Sequence, residues 1–240
     1  MNRRKDMFWR QLDIVDIDKL QKLEVSVIGC GGIGSPTLMA LAKMGIETIA
    51  VFDKDIIEDH NIPNQMHLVD LIGEKKVVSS FKIVKDLTGV ILNATDQHFV
   101  NQKLLEVTVV GTDTMSSRKQ VFLEFMKQDQ TEILIDARMA GQFFNIFYVN
   151  KQDKVAIEKY KTTIVRDNEA AEEKCTEKAI IYNTFGIAAF ICNIIKKIVN
   201  KEHLQFKYVF DFNSWLLQAF EVEDYESPKR KGELYINTKN

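Results

Sequence analysis

The chain has 240 residues, 45% of them hydrophobic and 28% charged, which suits one large domain with a sizeable core and at most a small extension. A formal net charge of −2 gives no electrostatic footprint for nucleic acid. Its three cysteines, 30, 175 and 192, are odd in number and contain no C-x-x-C pair. They argue against a disulfide framework or a cysteine-built zinc site, and for a reducing cytoplasm.

In chain order, the first eleven residues are charged around Phe8 and Trp9 and lack the apolar core of a signal peptide. Leu12, Ile14, Val15, Ile17 and Leu20 predict an amphipathic helix, so residues 1–23 read as an N-terminal arm and helix. A β-branched run then ends at Gly29, and glycines recur at 31, 32 and 34 before an apolar helical stretch at 36–45. This is G-x-G-x-x-G at a strand-to-helix junction, the context in which that spacing carries meaning. A second strand, 47–53, ends in Asp53, 19 residues after Gly34. An irregular stretch broken by Asn-Ile-Pro-Asn follows, then Gly73 and a helix over 74–87.

Strands are predicted at 90–94, 107–111 and 132–136, with a helix at 116–127. Alternating strands and helices argue a doubly wound, Rossmann-like, mostly parallel α/β sheet. Only residues 139–141 separate the next strand, 142–149, from its predecessor. No crossover helix fits there, so antiparallel strands should extend the sheet. Residues 151–178 are polar and read as a loop with helical fragments. A helix at about 179–199 and strands at 205–211 and 215–221 complete a domain spanning 24–222. Residues 223–240 read as a flexible polar tail. The apolar stretch 179–195 contains Asn183, Thr184 and Asn193 and is short for a bilayer, so no membrane partner is expected.

Glycines at this junction permit a tight turn and close backbone approach, while the helix start offers free N–H groups and a positive dipole end to a phosphate chain. Asp53 stands where an acceptor for ribose hydroxyls is expected. Further polar residues recur at element tips: Asp55, Asn61, Gln65, Lys76, Asp113 and Arg118. In an open α/β sheet such positions converge above the carboxyl ends of the strands. Blander roles stand beside these. Asp53 can simply cap a turn, Lys76 can be solvated, and Asp113 with Arg118 can form a local ion pair. The four histidines show no metal-ligand spacing, and Cys30 reads as a packing residue.

Several separated blocks together resemble the ThiF/MoeB family, adenylyltransferases related to ubiquitin-activating enzymes. Residues 8–11, FWRQ, are similar to its aromatic-x-Arg-Gln block, and residues 29–35 to its G-x-G-G-x-G-S loop. Asp53-Lys54-Asp55 with 61–65 resembles D-x-D … N-L-N-R-Q, residues 73–76 match G-x-x-K, and Thr112-Asp113 with Arg118 matches T-D-N-x-x-x-R. The resemblance implies ATP and Mg²⁺, and adenylation of a C-terminal carboxylate on a small ubiquitin-like or sulfur-carrier protein or a peptide. It implies that Gly29, Gly31, Gly32 and Gly34 form the nucleotide loop and that Asp53 holds the ribose. Asp55, Asn61, Gln65, Lys76 and Arg118 would line the site, with Asp113 as the Mg²⁺ ligand. In a homodimer Arg10 would reach into the neighbouring subunit's site. Cys175 sits where the family commonly has a cysteine, which in some relatives takes the activated carboxylate as a thioester or carries a persulfide; a packing role stands beside that one.

Three positions depart from the pattern: Asn64 replaces its arginine, Gly111 an acid and Thr114 an asparagine. The paired C-x-x-C zinc ligands are absent, so no zinc is expected. Two other readings stay open: an NAD-dependent oxidoreductase, and a catalytically silent binding subunit of the same fold.

Overall fold

The structure is a computed structural model that describes residues 6–164 and 179–226. Its centre is an eight-stranded sheet in the order β3-β2-β1-β4-β5-β6-β7-β8. Five parallel strands come first: β1 (Glu24–Ile28), β2 (Thr48–Phe52), β3 (Asn93–Thr95), β4 (Val107–Val110) and β5 (Ile133–Ala140). The chain runs outward from β1 through β2 to β3, returns to the other side of β1 as β4, and continues to β5. The crevice between β1 and β4 is therefore the topological switch point, where open α/β sheets bind ligands.

Strands β1, β2 and β4 are runs of β-branched and small residues because helices cover both of their faces. One layer comprises α2 (Gly34–Met44), α3 (Lys76–Thr88) and α6 (Ile181–Asn200), packed through Leu38, Leu41, Val77, Val84, Ile187 and Ile191. The opposite layer, α4 (Met115–Lys127) and α5 (Lys154–Thr163), packs through Val121, Phe122, Phe125, Ile157 and Tyr160. The expected antiparallel extension is present. β5 turns at Gly141, φ 55°, into β6 (Phe143–Asn150), and β7 (Lys207–Asp211) and β8 (Leu216–Phe220) follow.

Several expectations need correction. The predicted N-terminal helix is a 3-10 turn, Trp9–Gln11, and a separate four-residue α1, Ile17–Leu20, while Leu12 and Ile14 stay exposed. One local and one long-range contact break it. Asp16 caps α1 by accepting from Lys19 N–H at 3.1 Å, and Asn200 donates to the Ile14 carbonyl at 2.8 Å. Of the segment read as a loop with helical fragments, residues 154–163 form a full ten-residue helix, α5. Asp153 caps it through the Ala156 N–H (2.9 Å), and Ala156, Ile157, Tyr160 and Thr163 are buried at helical spacing. β3 starts three residues later than predicted, and β5 runs four residues further, to Ala140. Of the expected tail, residues 223–226 are described, and Tyr225 among them is buried against Phe147 and Phe206. Among the described residues no helix is long and apolar enough to cross a membrane.

Candidate nucleotide-binding site

At the switch point the chain turns out of β1 at Gly29, whose φ of 100° suits glycine and few other residues. Its N–H donates to the Phe52 carbonyl (2.9 Å), and Gly111 after β4 donates to the Ile28 carbonyl (2.9 Å). Both loops are thereby fixed to neighbouring strands. A side chain at Gly29 would lie 3.0 Å from the Gly111 carbonyl oxygen, so the two glycines let the loops abut. At Gly34 a Cβ would lie 2.8 Å from the Gly29 carbonyl carbon, which is why α2 can start directly behind the loop. Gly31 is different: a Cβ there would meet nothing within 4 Å, because it borders open space. No side chain caps α2, but Ser35 N–H already donates to the Gly31 carbonyl (3.0 Å) and Pro36 has no N–H, so the backbone donors that border the space are those of Gly31, Gly32 and Ile33 in the loop.

The space is a cleft of about 1120 Å³. Gly29, Gly31, Gly32, Asp53, Asp55, Asn61, Gln65, Lys76, Asp113 and Arg118 all border it, so the structure converges ten of the thirteen residues singled out above. Gly34 lies behind the loop. Arg10 is exposed, with its guanidinium 5.3 Å from the Trp9 ring centre, and does not border this cleft of its own chain. Cys175 lies outside the described residues.

Asp53 accepts from Cys30 N–H (2.6 Å) on one oxygen and from Asp55 N–H (2.7 Å) on the other. Burial pushes its carboxyl above the ordinary value, against those donors and the Lys76 charge. A carboxylate has about four acceptor positions. Two are used here, leaving capacity for a pair of hydroxyls. Lys76 opens α3, only 8% exposed, with Nζ 3.2 Å from Asp55 Oδ2. An ammonium at a helix N-terminus opposes the dipole, and burial adds a desolvation cost. The solvated reading of Lys76 therefore fails. Asn61 is buried and closes a capping box, its Oδ1 accepting from Glu58 N–H at 3.0 Å. Asp113 is exposed at the mouth. The blander alternative, a local ion pair with Arg118, does not form: Arg118 pairs with Asp136 and donates to the carbonyls of Thr112 and Ala137.

Residues that the sequence reading passed over stitch residues 61–68 to the glycine loop. Ser35 Oγ donates to the Gly31 carbonyl (2.8 Å) and accepts from Met66 N–H (2.9 Å). His67 Nε2 lies 3.0 Å from the Cys30 carbonyl, so that nitrogen carries the proton, and burial pushes the imidazole pKa down to about 4. Phe99, set edge-on to Phe52 at 5.6 Å, and His98 form a wall beyond β3. Their place just past a strand's carboxyl end was the available signal.

Two observations test the fit of a nucleotide. Gly31 faces room that a side chain would fill. Asn64 Oδ1, Gln65 Oε1 and Thr112 Oγ1, on residues bordering the cleft, are buried without a hydrogen-bond partner. A polar ligand would satisfy such atoms. No cluster of three or more metal-ligating groups occurs among the described residues. Mg²⁺ does not require one, since one or two carboxylates and substrate phosphates commonly hold it.

The sequence profile of the ThiF family matches residues 4–233. The chain belongs to the ThiF family. Segments of this ThiF-family chain match the adenylyltransferase and sulfurtransferase UBA4 of Candida glabrata, 39% identical over 70 residues (29% of this chain, 16% of UBA4). They also match the adenylyltransferase and sulfurtransferase MOCS3 of Xenopus laevis, 36% identical over 89 residues (35% of this chain, 20% of MOCS3). The chain thus aligns with only a minor part of these longer proteins. The fold is similar to that of PaaA, with a TM-score of 0.74 at 15% identity over 92% of this chain and 74% of PaaA. It is also similar to E. coli MccB solved with ATP, with a TM-score of 0.71 at 18% identity over 90% of this chain and 68% of MccB.

Proposed function

We propose that this chain uses ATP and Mg²⁺ to adenylate the C-terminal carboxylate of a small ubiquitin-like or sulfur-carrier protein or a peptide. The observation that carries the proposal is the meeting of Lys76 and Asp113 with the glycine loop and Asp53 in one cleft. A dinucleotide oxidoreductase would use the loop and Asp53 but has no need of the other two. Relatives described as adenylyltransferases support the reaction type. A fold neighbour captured with ATP, and in another structure with the MccA peptide, supports the substrate class.

In the proposed reaction a carboxylate oxygen attacks the α-phosphorus and pyrophosphate leaves. The attacking group is already ionised at neutral pH, so no strong general base is required. The protein's part is to position and to stabilise charge. Asp53 would hold the ribose hydroxyls. The loop N–H groups, Asn61, Gln65 and Lys76 would line the triphosphate, and Asp113 would hold Mg²⁺, which supplies charge neutralisation at the phosphates. Arg10, turned away from its own cleft, would serve a partner subunit's cleft in a homodimer. Asn64, in place of the family arginine, favours one alternative: a binding subunit that holds nucleotide without turnover.

The test is a pair of melting curves followed by pyrophosphate exchange. At a hundredfold excess over Kd, a ligand specific to the folded state adds about 2.7 kcal/mol. For a chain of this size that raises Tm by about 5–10 °C. ATP-Mg should do so and NADH should not; the reverse would refute the proposal. Exchange of labelled pyrophosphate into ATP, in the presence of the carboxylate partner, separates an enzyme from a silent binder.

A further inference from the structure

One buried carboxylate has no part in the reaction described above. Asp136, at the centre of β5, has no exposure and is bonded to two arginines and a tyrosine. Arg118 binds Oδ1, while Arg138 Nε (2.8 Å) and Tyr160 Oη (2.9 Å) donate to Oδ2. Burial alone would push this carboxyl up; the two guanidiniums and the hydroxyl outweigh it and hold it below its ordinary value. The charges are thus ionised partners in a dry site, where charge-assisted bonds are directional and strong.

The two sides of this cluster lead to different places. Arg138 donates to the carbonyl and hydroxyl of Thr163 (3.1 and 2.9 Å) and so ties β5 to the end of α5. Arg118 leads to the cleft. Its second terminal nitrogen donates to the Thr112 carbonyl, immediately before Asp113, and its own N–H bonds to the Thr114 carbonyl at 3.2 Å. The Thr112–Asp113–Thr114 backbone is therefore anchored on both sides by one residue, whose guanidinium is held in turn by Asp136.

We infer that Asp136 is a positioning residue: through Arg118 it sets the backbone that presents Asp113 to the cleft. The functional meaning of that position rests on the adenylation reading; the mechanical coupling does not. Asp136→Ala would leave two buried guanidiniums facing an empty space and invite unfolding, so Asp136→Asn is the informative change. It keeps size and shape and removes the charge that grips Arg118. Tyr160→Phe is the matched control, because it strips one bond from the same carboxylate without touching Arg118.

The first readout is amide hydrogen exchange of the free protein. Residues 112–118 should exchange roughly tenfold faster in Asp136→Asn, relative to the rest of the chain, as expected for weakening one charge-assisted bond. In Tyr160→Phe any acceleration should be general, with no excess at residues 112–118 over the rest of the chain. The second readout is calorimetric titration with ATP at several Mg²⁺ concentrations. Asp136→Asn should need several times more Mg²⁺ for half-maximal affinity, and Tyr160→Phe should match the wild type. Should Asp136→Asn fail to fold, Arg118→Lys replaces it, since an ammonium cannot span both Asp136 and the Thr112 carbonyl and should loosen the same segment. Equal exchange at 112–118 in the loosening variant and in Tyr160→Phe would overturn the inference. If the wild type binds no ATP-Mg while the exchange pattern appears as described, the adenylation reading falls and the coupling stands.

Discussion

The two glycines flanking the nucleotide loop should respond to the same substitution in opposite ways. Gly34→Ala places a methyl group 2.8 Å from the Gly29 carbonyl carbon and closer still to its oxygen. Both neighbours are backbone, and Gly29 is fixed to β2 through Phe52, so neither side can yield cheaply. Overpacking of this kind costs about 1–3 kcal/mol, and the obstruction here belongs at the upper end. Alanine's better helix propensity returns up to ~1 kcal/mol, and less than that at the first helical position. The net is a loss of about 2 kcal/mol, or ~4–8 °C in Tm for this size of chain. Gly31→Ala meets nothing within 4 Å and Gly31 does not occupy the left-handed region, so Tm should stay within about 1 °C. Its methyl group instead enters the room assigned to the phosphate chain and should weaken ATP-Mg binding about tenfold, equivalent to ~1.4 kcal/mol. Differential scanning calorimetry with and without ATP-Mg measures both effects. Wild-type affinity in Gly31→Ala would remove the loop from the nucleotide site. An unchanged Tm in Gly34→Ala would show that the packing argument is wrong.

Asp113→Ala should leave Tm nearly unchanged, because the side chain is exposed, yet abolish pyrophosphate exchange if it holds Mg²⁺; an active variant would exclude that role. His67 is held neutral with a pKa of about 4, below the 6.5 of a free imidazole, so the unfolded chain binds its proton first. The stability this confers is present above pH 6.5 and declines as pH falls from there toward 4. His67→Gln keeps an N–H donor for the Cys30 carbonyl but cannot titrate, so its urea midpoint should drop less than the wild type's between pH 7 and 5. Parallel declines would refute the assignment. Finally, an Arg10→Ala chain mixed with an Asp113→Ala chain should recover about half the wild-type activity per heterodimer, since one composite site is intact and the other carries both lesions. Heterodimers that form and stay inactive would sink the crossed-site arrangement.

What was legible in the sequence was what depends on neighbours along the chain. The strand–glycine–helix unit at 25–45 announces itself because turn, loop and helix start are contiguous, and the lack of room after Ala140 forced the antiparallel β6. Elements fixed by distant partners were not legible. Helix α5 was legible only as a fragment within a charged stretch, and Tyr160 is interior because its hydroxyl meets Asp136, 24 residues earlier. Leu12 and Ile14 fit a helical period, yet Asn200, from the far end of α6, holds that segment as a turn. Spacing left open a local Asp113–Arg118 pair beside the site roles, and it could not reveal that buried Asp136 takes Arg118 instead.

These long-range pairings bear on how the cleft handles a polyanion. Of the charged residues bordering it, Asp53, Asp55, Glu58 and Asp113 stand against Lys54, Lys76 and Arg118. Lys76 is matched by Asp55 and Arg118 by Asp136, while Asn64 contributes no charge where the family pattern has arginine. Little uncompensated positive charge is therefore available from the side chains of this cleft. Attraction for phosphate then falls to the loop N–H groups of Gly31, Gly32 and Ile33 and to the dipole of α2, which are modest alone. Under the proposed function, a divalent ion at Asp113 and the Arg10 guanidinium of a second chain would supply the remainder. On that proposal the cleft would favour charge-stabilised chemistry only once metal, nucleotide and partner subunit have assembled, so loss of Asp113 or of Arg10 should each weaken the binding that the other supports.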